Sequence, residues 1–368
     1  DGIIEDKELK GNIYINFVGD PSFTNQNLKK LFVEIKNLGI NKLTGNILVN
    51  RTAFDNTFYP SGWMWDDMDS CDSSPVDALY IDDNCIKVNI ISNQNKIYSH
   101  TNNIVDINSL DIKISNDKEN NIKVDGFNNN TLKISGKMAN GKTEELEQSI
   151  IYPELYLSNV LKNIINNYFE FQGQIKVTSD IPSIKNLNTI ATNTSQPLSD
   201  ILKRFDKESH NLTGELLIKT IALNDNKIQG STEKGINIMK KYLTDTFAYT
   251  DFNIVDGSGL SRYNLVSPSL IISALDYMYN QDKLKNVVLN SFPIGGQDGT
   301  LKNRLKKIVN YRVVAKSGSM TGVNCLSGYL IGENGNNYSF SIMINNTVLS
   351  GKKLRDIQDE IIKIIDML

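Results

Sequence analysis

A lysine, a small hydroxyl residue and a glycine follow one another directly after an apolar run late in the chain. Lys316, Ser317 and Gly318 stand in "VVAKSGSMTGVN", and the apolar residues before them predict a strand. No histidine or second carboxylate lies nearby in the sequence, and the whole chain has two histidines, His100 and His210. The composition therefore argues against a Ser-His-Asp triad and a His-rich zinc site, and it favours chemistry in which a lysine is the base.

A second polar group lies upstream of this strand. Ser209, His210 and Asn211 stand in "KESHNLTGELL", between two segments with helical spacing. Taken alone, serine and asparagine between helices are usually helix caps. The alternative is that Ser209 and Asn211 form an S-x-N box and Lys316 begins a K-[TS]-G box, in the chain order that penicillin-recognising serine enzymes use after their S-x-x-K box.

Composition excludes several other classes of function. The 368 residues are 40% hydrophobic and 22% charged, with a formal net charge of −3, and they contain no basic stripe that would suit nucleic acid. No apolar run approaches the roughly 18 to 20 residues that span a bilayer. The length predicts two or more domains. The opening "DGIIEDKELKGN" has no signal-peptide pattern, and we expect the chain to be trimmed at this end.

The three cysteines leave two interpretations open. Cys71 and Cys85 are close enough in sequence to close a short disulfide loop in an oxidising compartment, which would contribute about 2 to 4 kcal/mol. Cys325 reads as a buried thiol on a strand. The alternative is that all three are reduced cysteines in the core.

Hydrophobic periodicity divides the chain into regions of different character. Between Gly11 and Asn50 it predicts a strand, a helix that Gly39 ends, and another strand. From about residue 85 to 149, short alternating segments separated by Asn, Asp and Gly turns predict a small antiparallel β domain, and residues 154–168 then predict a helix.

The region after about residue 195 predicts an α/β (α+β) fold with a late antiparallel sheet. Helices come first, then a strand at 311–315, a strand pair across "GENGNN" and a last helix. That helix is expected to pack on the sheet rather than to lie on a membrane surface, with these apolar residues on one face: Leu354, Ile357, Ile361, Ile365 and Leu368.

Four long motifs resemble one family. The chain is similar to the class C low-molecular-mass penicillin-binding proteins, the D-alanyl-D-alanine carboxypeptidase/endopeptidase family, in "GWMWDDMDSCDSSPVDALYIDDNC", "VDGSGLSRYNLVSPSLI", "PIGGQDGTLKNR" and "AKSGSMTGVNCLSGYL". The start of the chain, "LKGNIYINFVGDPSFT" and "GINKLTGNILVN", looks like the segment that follows the catalytic helix in that family. The resemblance covers nearly the whole chain.

The resemblance implies a fold and its division into domains. We expect a penicillin-recognising transpeptidase-like domain, with an antiparallel sheet between helices, at residues 181–368. Inserted β-rich accessory domains would occupy the rest: residues 1–85 and 150–180 as accessory domain II, with residues 86–149 as a small domain III nested in it. The family context also favours the disulfide between Cys71 and Cys85, with Cys325 free. The glycines of "GGQDGT" are read as a loop.

The same resemblance implies roles for the residues of the two boxes. Ser209 would relay a proton toward the leaving amine, and Asn211 would orient the catalytic lysine and the substrate amide. Lys316 would attract the terminal carboxylate of the substrate and depress the pKa of the S-x-x-K lysine.

Residues after Lys316 would bind the same substrate. Ser317 would offer its hydroxyl to the carboxylate, Gly318 would leave room for the substrate, and Ser319 would supply a backbone amide to the oxyanion.

A pocket for the amine and carboxylate of a diaminopimelate side chain is also implied. It would fall on Asp67, with Asp66 as the other possibility, and on Arg262 and Met320, because an ammonium pairs with a carboxylate and a carboxylate with a guanidinium.

The sequence departs from the family pattern at the first box. Three strings match S-x-x-K, beginning at Ser115, Ser231 and Ser350, but they read as a polar turn, a helix cap and the start of the last helix. We expect none of them to be the nucleophile, and we expect the S-x-x-K segment to lie outside this chain.

The predicted function is a peptidoglycan DD-peptidase, a D-Ala-D-Ala carboxypeptidase or D-Ala-diaminopimelate endopeptidase, that forms a serine acyl-enzyme and is inhibited by penicillin. Expected partners are peptidoglycan stem peptides and β-lactam antibiotics, in the periplasm or another extracytoplasmic compartment, with no metal and no cofactor. The alternatives are a non-catalytic relative that binds cell-wall peptide or a protein partner, and a β-lactamase-type hydrolase, against which the long inserts argue.

Overall fold

The chain separates into two compact units in a computed structural model that describes residues 2–102, 104–115, 120–128, 131–180, 182, 187–226, 228–333 and 335–367. Unit 1 contains residues 1–59, 64–195 and 222–231. Unit 2 contains residues 60–63, 196–221 and 232–368. The domain boundaries expected from the sequence stay a prediction.

Unit 1 is built from short sheets and two described helices that share one hydrophobic core. Its helices are α1 (Asn25–Asn37) and α2 (Pro153–Tyr168). Its strands are β1 (Ile3–Glu5), β2 (Glu8–Lys10), β3 (Ile13–Asn16), β4 (Lys42–Leu43), β5 (Ile47–Asn50), β6 (Cys85–Asn93), β7 (Lys96–His100), β8 (Asp106–Ser115), β9 (Asn121–Asn128), β10 (Thr131–Ala139), β11 (Thr143–Ser149), β12 (Glu170–Phe171) and β13 (Ile175–Val177). The sheets have the strand orders β1-β2-β4-β12, β13-β5-β3, β11-β6-β7 and β8-β10-β9.

Helix α1 shows how local sequence fixes an element. Thr24 caps its N-terminus in a capping box with Asn27, and Gly39 follows its C-terminus at φ +87°, a conformation that glycine adopts without strain. The helix and its end are therefore as predicted. Leu38, the apolar residue just before Gly39, is 52% exposed, because the helix has already ended at Asn37.

The sheet β8-β10-β9 corrects the prediction of a wholly antiparallel domain. β10 pairs with β9 antiparallel, but it pairs with β8 parallel, with Leu132 opposite Ile107. β8 and β9 follow one another along the chain without pairing, so β8 lies on the far side of β10. Alternating hydrophobicity indicates a strand, but it carries no information about the partner or its direction.

A disulfide joins Cys71 to Cys85 within unit 1, as predicted. Cys71 begins a short 3-10 turn, Cys71–Ser73, and Cys85 is the first residue of β6. The bond therefore fixes the irregular segment between Cys71 and Cys85 to the first residue of β6, the central strand of the sheet β11-β6-β7. Cys325 is a free thiol, and burial raises its pKa.

Unit 2 places an antiparallel sheet between helices. Its elements are α3 (Leu198–Glu208), the first part of α4 (Asn211–Asn226), α5 (Thr232–Phe247), α6 (Pro268–Tyr279), α7 (Asp282–Ser291), β14 (Tyr311–Met320), β15 (Val323–Gly332), β16 (Asn337–Ile344) and α8 (Gly351–Asp366). One face of the sheet β14-β15-β16 packs on α8 through Leu326, Leu330 and Ile362. The other face packs on α6 and α7 through Tyr329, Leu275 and Val288. The predicted fold class is thus confirmed.

Helix α8 packs on the sheet, but its packed face coincides only in part with the predicted one, at Leu354 and Ile365. Its buried residues are Leu354, Gln358 and Ile362, whereas Ile357 and Ile361 are exposed. Gln358 explains why the predicted face is partly wrong. A pattern of apolar residues does not include a buried amide at the centre of the packed face. Leu368, also expected on this face, lies outside the described residues.

Gln358 makes specific contacts in that position. Its amide donates to the carbonyl of Asn324 on β15 at 3.1 Å, and its carbonyl accepts from Arg304 at 3.0 Å. Both polar ends of the buried side chain are therefore satisfied, which is the condition under which burial of an amide is tolerated.

Two buried carboxylates hold the turn that follows Val255. Asp256 accepts hydrogen bonds from the backbone of Gly259 and Ser261, and Glu215 on α4 accepts from the backbone of Gly257 and Ser258. A Cβ at Gly257 would lie 2.4 Å from the carbonyl oxygen of Gly214, so the two glycines permit the close approach of the turn to α4.

Burial, and next the nearby charge of Asp256, raise the pKa of Glu215 to about 7. Oε2 of Glu215 is buried without a hydrogen-bond partner among the described residues. The folded protein therefore favours the protonated carboxyl more strongly than the unfolded chain does.

Intact mass with and without reduction tests the disulfide. Denatured, unreduced protein should take up one alkyl group, on Cys325, and reduced protein should take up three. We further expect Cys71→Ser to lower the free energy of unfolding by about 2 to 4 kcal/mol, since the bond constrains the unfolded chain. Three alkyl groups on the unreduced protein would show that the bond is absent.

Glu215→Gln tests the buried carboxyl through pH. The folded pKa lies above the unfolded one, so wild-type protein loses stability as pH rises from about 4.5 to 7, while glutamine keeps both backbone hydrogen bonds and does not titrate. Over this pH range, denaturant unfolding should show that the free energy of unfolding of the variant rises relative to that of wild type by about 3 kcal/mol. Parallel pH profiles of the two proteins would contradict the raised pKa.

Candidate active site

Ser209 lies at a tight corner between two helices in unit 2. Helix α3 ends at Glu208, Ser209 follows with φ +58° and ψ 45°, and α4 begins at Asn211. The backbone N–H of Ser209 and that of His210 both reach the carbonyl of Phe205. A non-glycine residue in the left-handed region is uncommon and mildly strained, and it turns the chain here without using the serine hydroxyl.

That hydroxyl meets the lysine of the K-S-G strand. Lys316, in the C-terminal half of β14, donates from Nζ to Oγ of Ser209 at 2.7 Å and to the carbonyl of Ser317 at 2.8 Å. The sequence placed Ser209 and Lys316 in separate boxes, and the structure brings them into direct contact. Ser209 is therefore more than a helix cap.

Burial lowers the pKa of Lys316, and the charge of Asp206 opposes this effect. Asp206 is itself buried, which raises its pKa, while a hydrogen bond from Ser291 and the charges of Lys316 and Lys207 lower it. The site thus contains an acidic side chain that the sequence analysis missed. The available signal was its position three residues before Ser209, in the last turn of α3.

The strand beyond Lys316 is open to solvent. Gly318 has an ordinary backbone conformation, and among the described residues a Cβ on it would meet only the Cβ of Cys325, at 3.9 Å. Nothing in the packing of unit 2 therefore requires a glycine at this position. Ser319 is exposed as well, and its Oγ accepts from the buried amide of Asn324 at 3.0 Å.

A threonine from the loop before β14 forms a hydrogen bond with Ser317 at this edge of the strand. Oγ of Ser317 donates to Oγ1 of Thr300 at 2.7 Å. Thr300 is the last residue of "GGQDGT" and lies in the 3-10 turn Gly299–Leu301. The glycines of that segment predict a loop, but the sequence does not single out Thr300, because a lone threonine in a loop carries no periodic signal.

Arg262 lies next to the hairpin that follows Met320. Its Nη1 donates to the carbonyl of Thr321 at 2.8 Å, and its backbone N–H donates to the carbonyl of Gly62. Asp66 and Asp67 lie in unit 1, on the 3-10 turn Trp65–Asp67. The place of Asp67 in a substrate pocket stays a prediction.

The S-x-x-K matches lie in three different settings. Ser115 ends β8, and Lys118 of that match lies outside the described residues. Ser231 directly precedes α5. Ser350 caps α8, with its Oγ accepting from the backbone of Lys353.

Two other features of the described residues bear on the class of the site. Within the described ranges, no three His, Cys, Asp or Glu residues cluster as metal ligands would. Within those same ranges, no helix is long and apolar enough to cross a membrane.

His210 lies beside Ser209, but its Nδ1 is 2.8 Å from Oγ1 of Thr213 on α4.

Comparison with known proteins gives consistent matches over the whole chain. Residues 1–368 match the D-Ala-D-Ala carboxypeptidase 3 (S13) family. D-alanyl-D-alanine carboxypeptidase DacB of Haemophilus influenzae is 30% identical over 370 residues, which cover 94% of this chain and 74% of that protein.

Solved structures agree with this result. The crystal structure of penicillin binding protein 4 (dacB) from Haemophilus influenzae superposes with a TM-score of 0.81 at 28% identity, covering 95% of this chain and 79% of that one. A second structure of that protein, complexed with a β-lactam, gives 0.77 at 26% identity over 99% and 83%. The chain belongs to the D-Ala-D-Ala carboxypeptidase 3 (S13) family.

Proposed function

We propose that the complete protein is a serine-type DD-peptidase that cleaves D-Ala-D-Ala or D-Ala-diaminopimelate bonds of peptidoglycan stem peptides and is acylated by penicillin. The observation that carries this proposal is the contact between Lys316 Nζ and Ser209 Oγ, which joins the K-S-G strand to the S-x-N corner. Family membership supports the same reaction class.

In the proposed reaction a serine oxygen attacks the carbonyl carbon of the scissile bond. The bond to the leaving nitrogen then breaks, the nitrogen takes a proton, and a water molecule later releases the acyl group from the serine. A neighbouring lysine accepts the proton of the attacking serine. Ser209 passes a proton toward the leaving amine, and Asn211, the first residue of α4, orients the lysine and the substrate amide.

Lys316 has two roles in this scheme. Its charge attracts the terminal carboxylate of the substrate, and it disfavours protonation of the nearby catalytic lysine. Burial lowers the pKa of Lys316 itself, whereas the charge of Asp206 favours its protonated form. A bound carboxylate would act in the same direction as Asp206, so substrate binding and protonation of Lys316 reinforce each other.

The open strand edge receives the substrate. Ser317 offers its hydroxyl to the carboxylate, Gly318 leaves space for the peptide, and the backbone N–H of Ser319 stabilises the oxyanion. The empty space above Gly318 supports this assignment, since packing gives no other reason for a glycine there. Loss of one oxyanion donor typically slows such reactions by about 10²- to 10³-fold.

The proposed site also includes a pocket for the free amine and carboxylate of a diaminopimelate side chain. We assign it to Arg262 and Met320, with Asp67 as the acidic partner of the free amine. The guanidinium of Arg262, fixed to the carbonyl of Thr321, supports this part of the proposal.

The attacking serine and its lysine are proposed to lie on residues outside Asp1–Leu368. None of the three S-x-x-K matches has its serine on the apolar helix that the family pattern requires, as far as the described residues extend. The proposed domains are the transpeptidase-like domain at 181–368, accessory domain II at 1–85 and 150–180, and domain III at 86–149. An extracytoplasmic location agrees with the substrate and with the disulfide.

Mass spectrometry after incubation with benzylpenicillin tests the proposal. The 368 residues alone should form no covalent adduct and release no D-alanine from a D-Ala-D-Ala peptide. A longer chain that extends upstream of Asp1 through an S-x-x-K helix should do both, because it then holds an attacking atom.

The outcomes separate the candidate functions. A longer chain that binds the peptide without an adduct or product would instead be a non-catalytic binding protein. An adduct mapped to Ser115, Ser231 or Ser350 in the 368-residue chain would show that the proposed location of the nucleophile is wrong.

A further inference from the structure

The loop that carries Thr300 is held in place by contacts with strand β14 and with helix α3. Its start pairs with β14: the N–H of Gly295 donates to the carbonyl of Val313, and the N–H of Ala315 donates to that of Pro293, both at 2.9 Å. The loop is therefore fixed to the strand one residue before Lys316.

An ion pair fixes the other end of the loop to helix α3. Lys207 donates from Nζ to Asp298 at 2.6 Å and to the carbonyl of Phe292 at 3.0 Å, and its side chain is 13% exposed. Asp298 also accepts from the N–H of Ile294. Burial raises the pKa of Asp298, but the hydrogen bond and charge of Lys207 outweigh it, so the carboxylate form is favoured.

The close approach of the loop to α3 requires a glycine next to Thr300. Gly299 has φ +54°, and a Cβ there would lie 2.8 Å from the carbonyl oxygen of Lys207. The helix that supplies Ser209 thus also sets the position of Thr300. Consecutive residues of the strand are therefore hydrogen-bonded to these two side chains, Lys316 to Ser209 and Ser317 to Thr300.

The hydrogen bond between Ser317 and Thr300 has a defined direction. Oγ of Ser317 donates to Oγ1 of Thr300, which leaves the hydroxyl proton of Thr300 for another acceptor. Thr300 is exposed, and Lys316 is adjacent to Ser317 on β14. A lysine ammonium and two hydroxyl groups therefore line one edge of the strand.

We propose that Thr300 is a binding residue for the terminal carboxylate of the substrate, acting together with Lys316 and Ser317. A carboxylate only accepts hydrogen bonds and has about four lone-pair sites, so a second hydroxyl donor beside the ammonium is complementary to it. Thr300 determines specificity for ligands that end in a free acid. This assignment rests on the proposed function.

The test compares two ligands in the complete protein, which is proposed to carry the attacking serine. The ligands are benzylpenicillin and its methyl ester, which lacks the carboxylate charge, and the measured quantity is the second-order rate constant of acylation. The ratio of the two rate constants isolates recognition of the carboxylate, and it does not depend on the fraction of protein that is folded.

Thr300→Val removes the hydroxyl at nearly constant volume, and it should lower this ratio about tenfold or more, as expected for a lost hydrogen bond to a charged group. Thr300→Ser keeps the hydroxyl and should restore the ratio. Thr246→Val, at an exposed threonine of α5, is the matched control and should keep the wild-type ratio.

An unchanged ratio in Thr300→Val would overturn the role of Thr300, as would an equal loss with both ligands. Wild-type protein that is not acylated by penicillin at all would overturn the proposed function, and the assignment of Thr300 with it. The two failures are thus distinguished by the wild-type measurement alone.

Discussion

The hydrogen bond from Lys316 Nζ to Ser209 Oγ is the contact on which the site depends. It joins a strand to a helix corner that is distant in sequence, and it gives a partly buried ammonium one of the acceptors it needs. Without an acceptor, a buried lysine would lose its proton or turn toward solvent. Asp206 adds the compensating charge. The helix that supplies Asp206 and leads into Ser209 therefore holds Lys316 in place and adds a charge that favours its protonated form.

Helix α3 performs several tasks within one turn. Asp206 acts on the charge of Lys316, Lys207 holds the loop that carries Thr300, and Ser209 accepts from Lys316. The left-handed backbone of Ser209 ends the helix at the point where its hydroxyl is needed. Because these contacts share one rigid element, a shift of α3 would alter the ammonium, the loop and the serine together. This coupling keeps the polar groups in register along β14.

Much of this arrangement can be predicted from sequence because it rests on local patterns. The apolar run before Lys316 predicts the strand, helical spacing on both sides of Ser209 predicts a corner, and two nearby cysteines suggest a disulfide. The family follows from the long motifs, which specify more residues than chance would match. These features need no knowledge of which elements meet in space.

What escaped prediction depends on contacts between distant elements. Asp206 and Thr300 look like ordinary helix and loop residues until the fold places them beside Lys316 and Ser317. Gln358 is tolerated on an apolar face because its amide group forms hydrogen bonds with β15 and with the loop before β14. The parallel pairing of β8 with β10 is likewise a matter of topology rather than of strand propensity.

A double-mutant cycle between Ser209 and Lys316 tests the central contact most directly. Penicillin acylation rates of the complete protein would be measured for wild type, Ser209→Ala, Lys316→Ala and the double variant, with thermal unfolding to check the fold. If the two side chains work through their hydrogen bond, the double variant should be faster than the product of the single effects predicts, with a coupling of about 1 kcal/mol or more. Single effects that multiply independently would contradict the account, because the contact would then contribute nothing to the reaction.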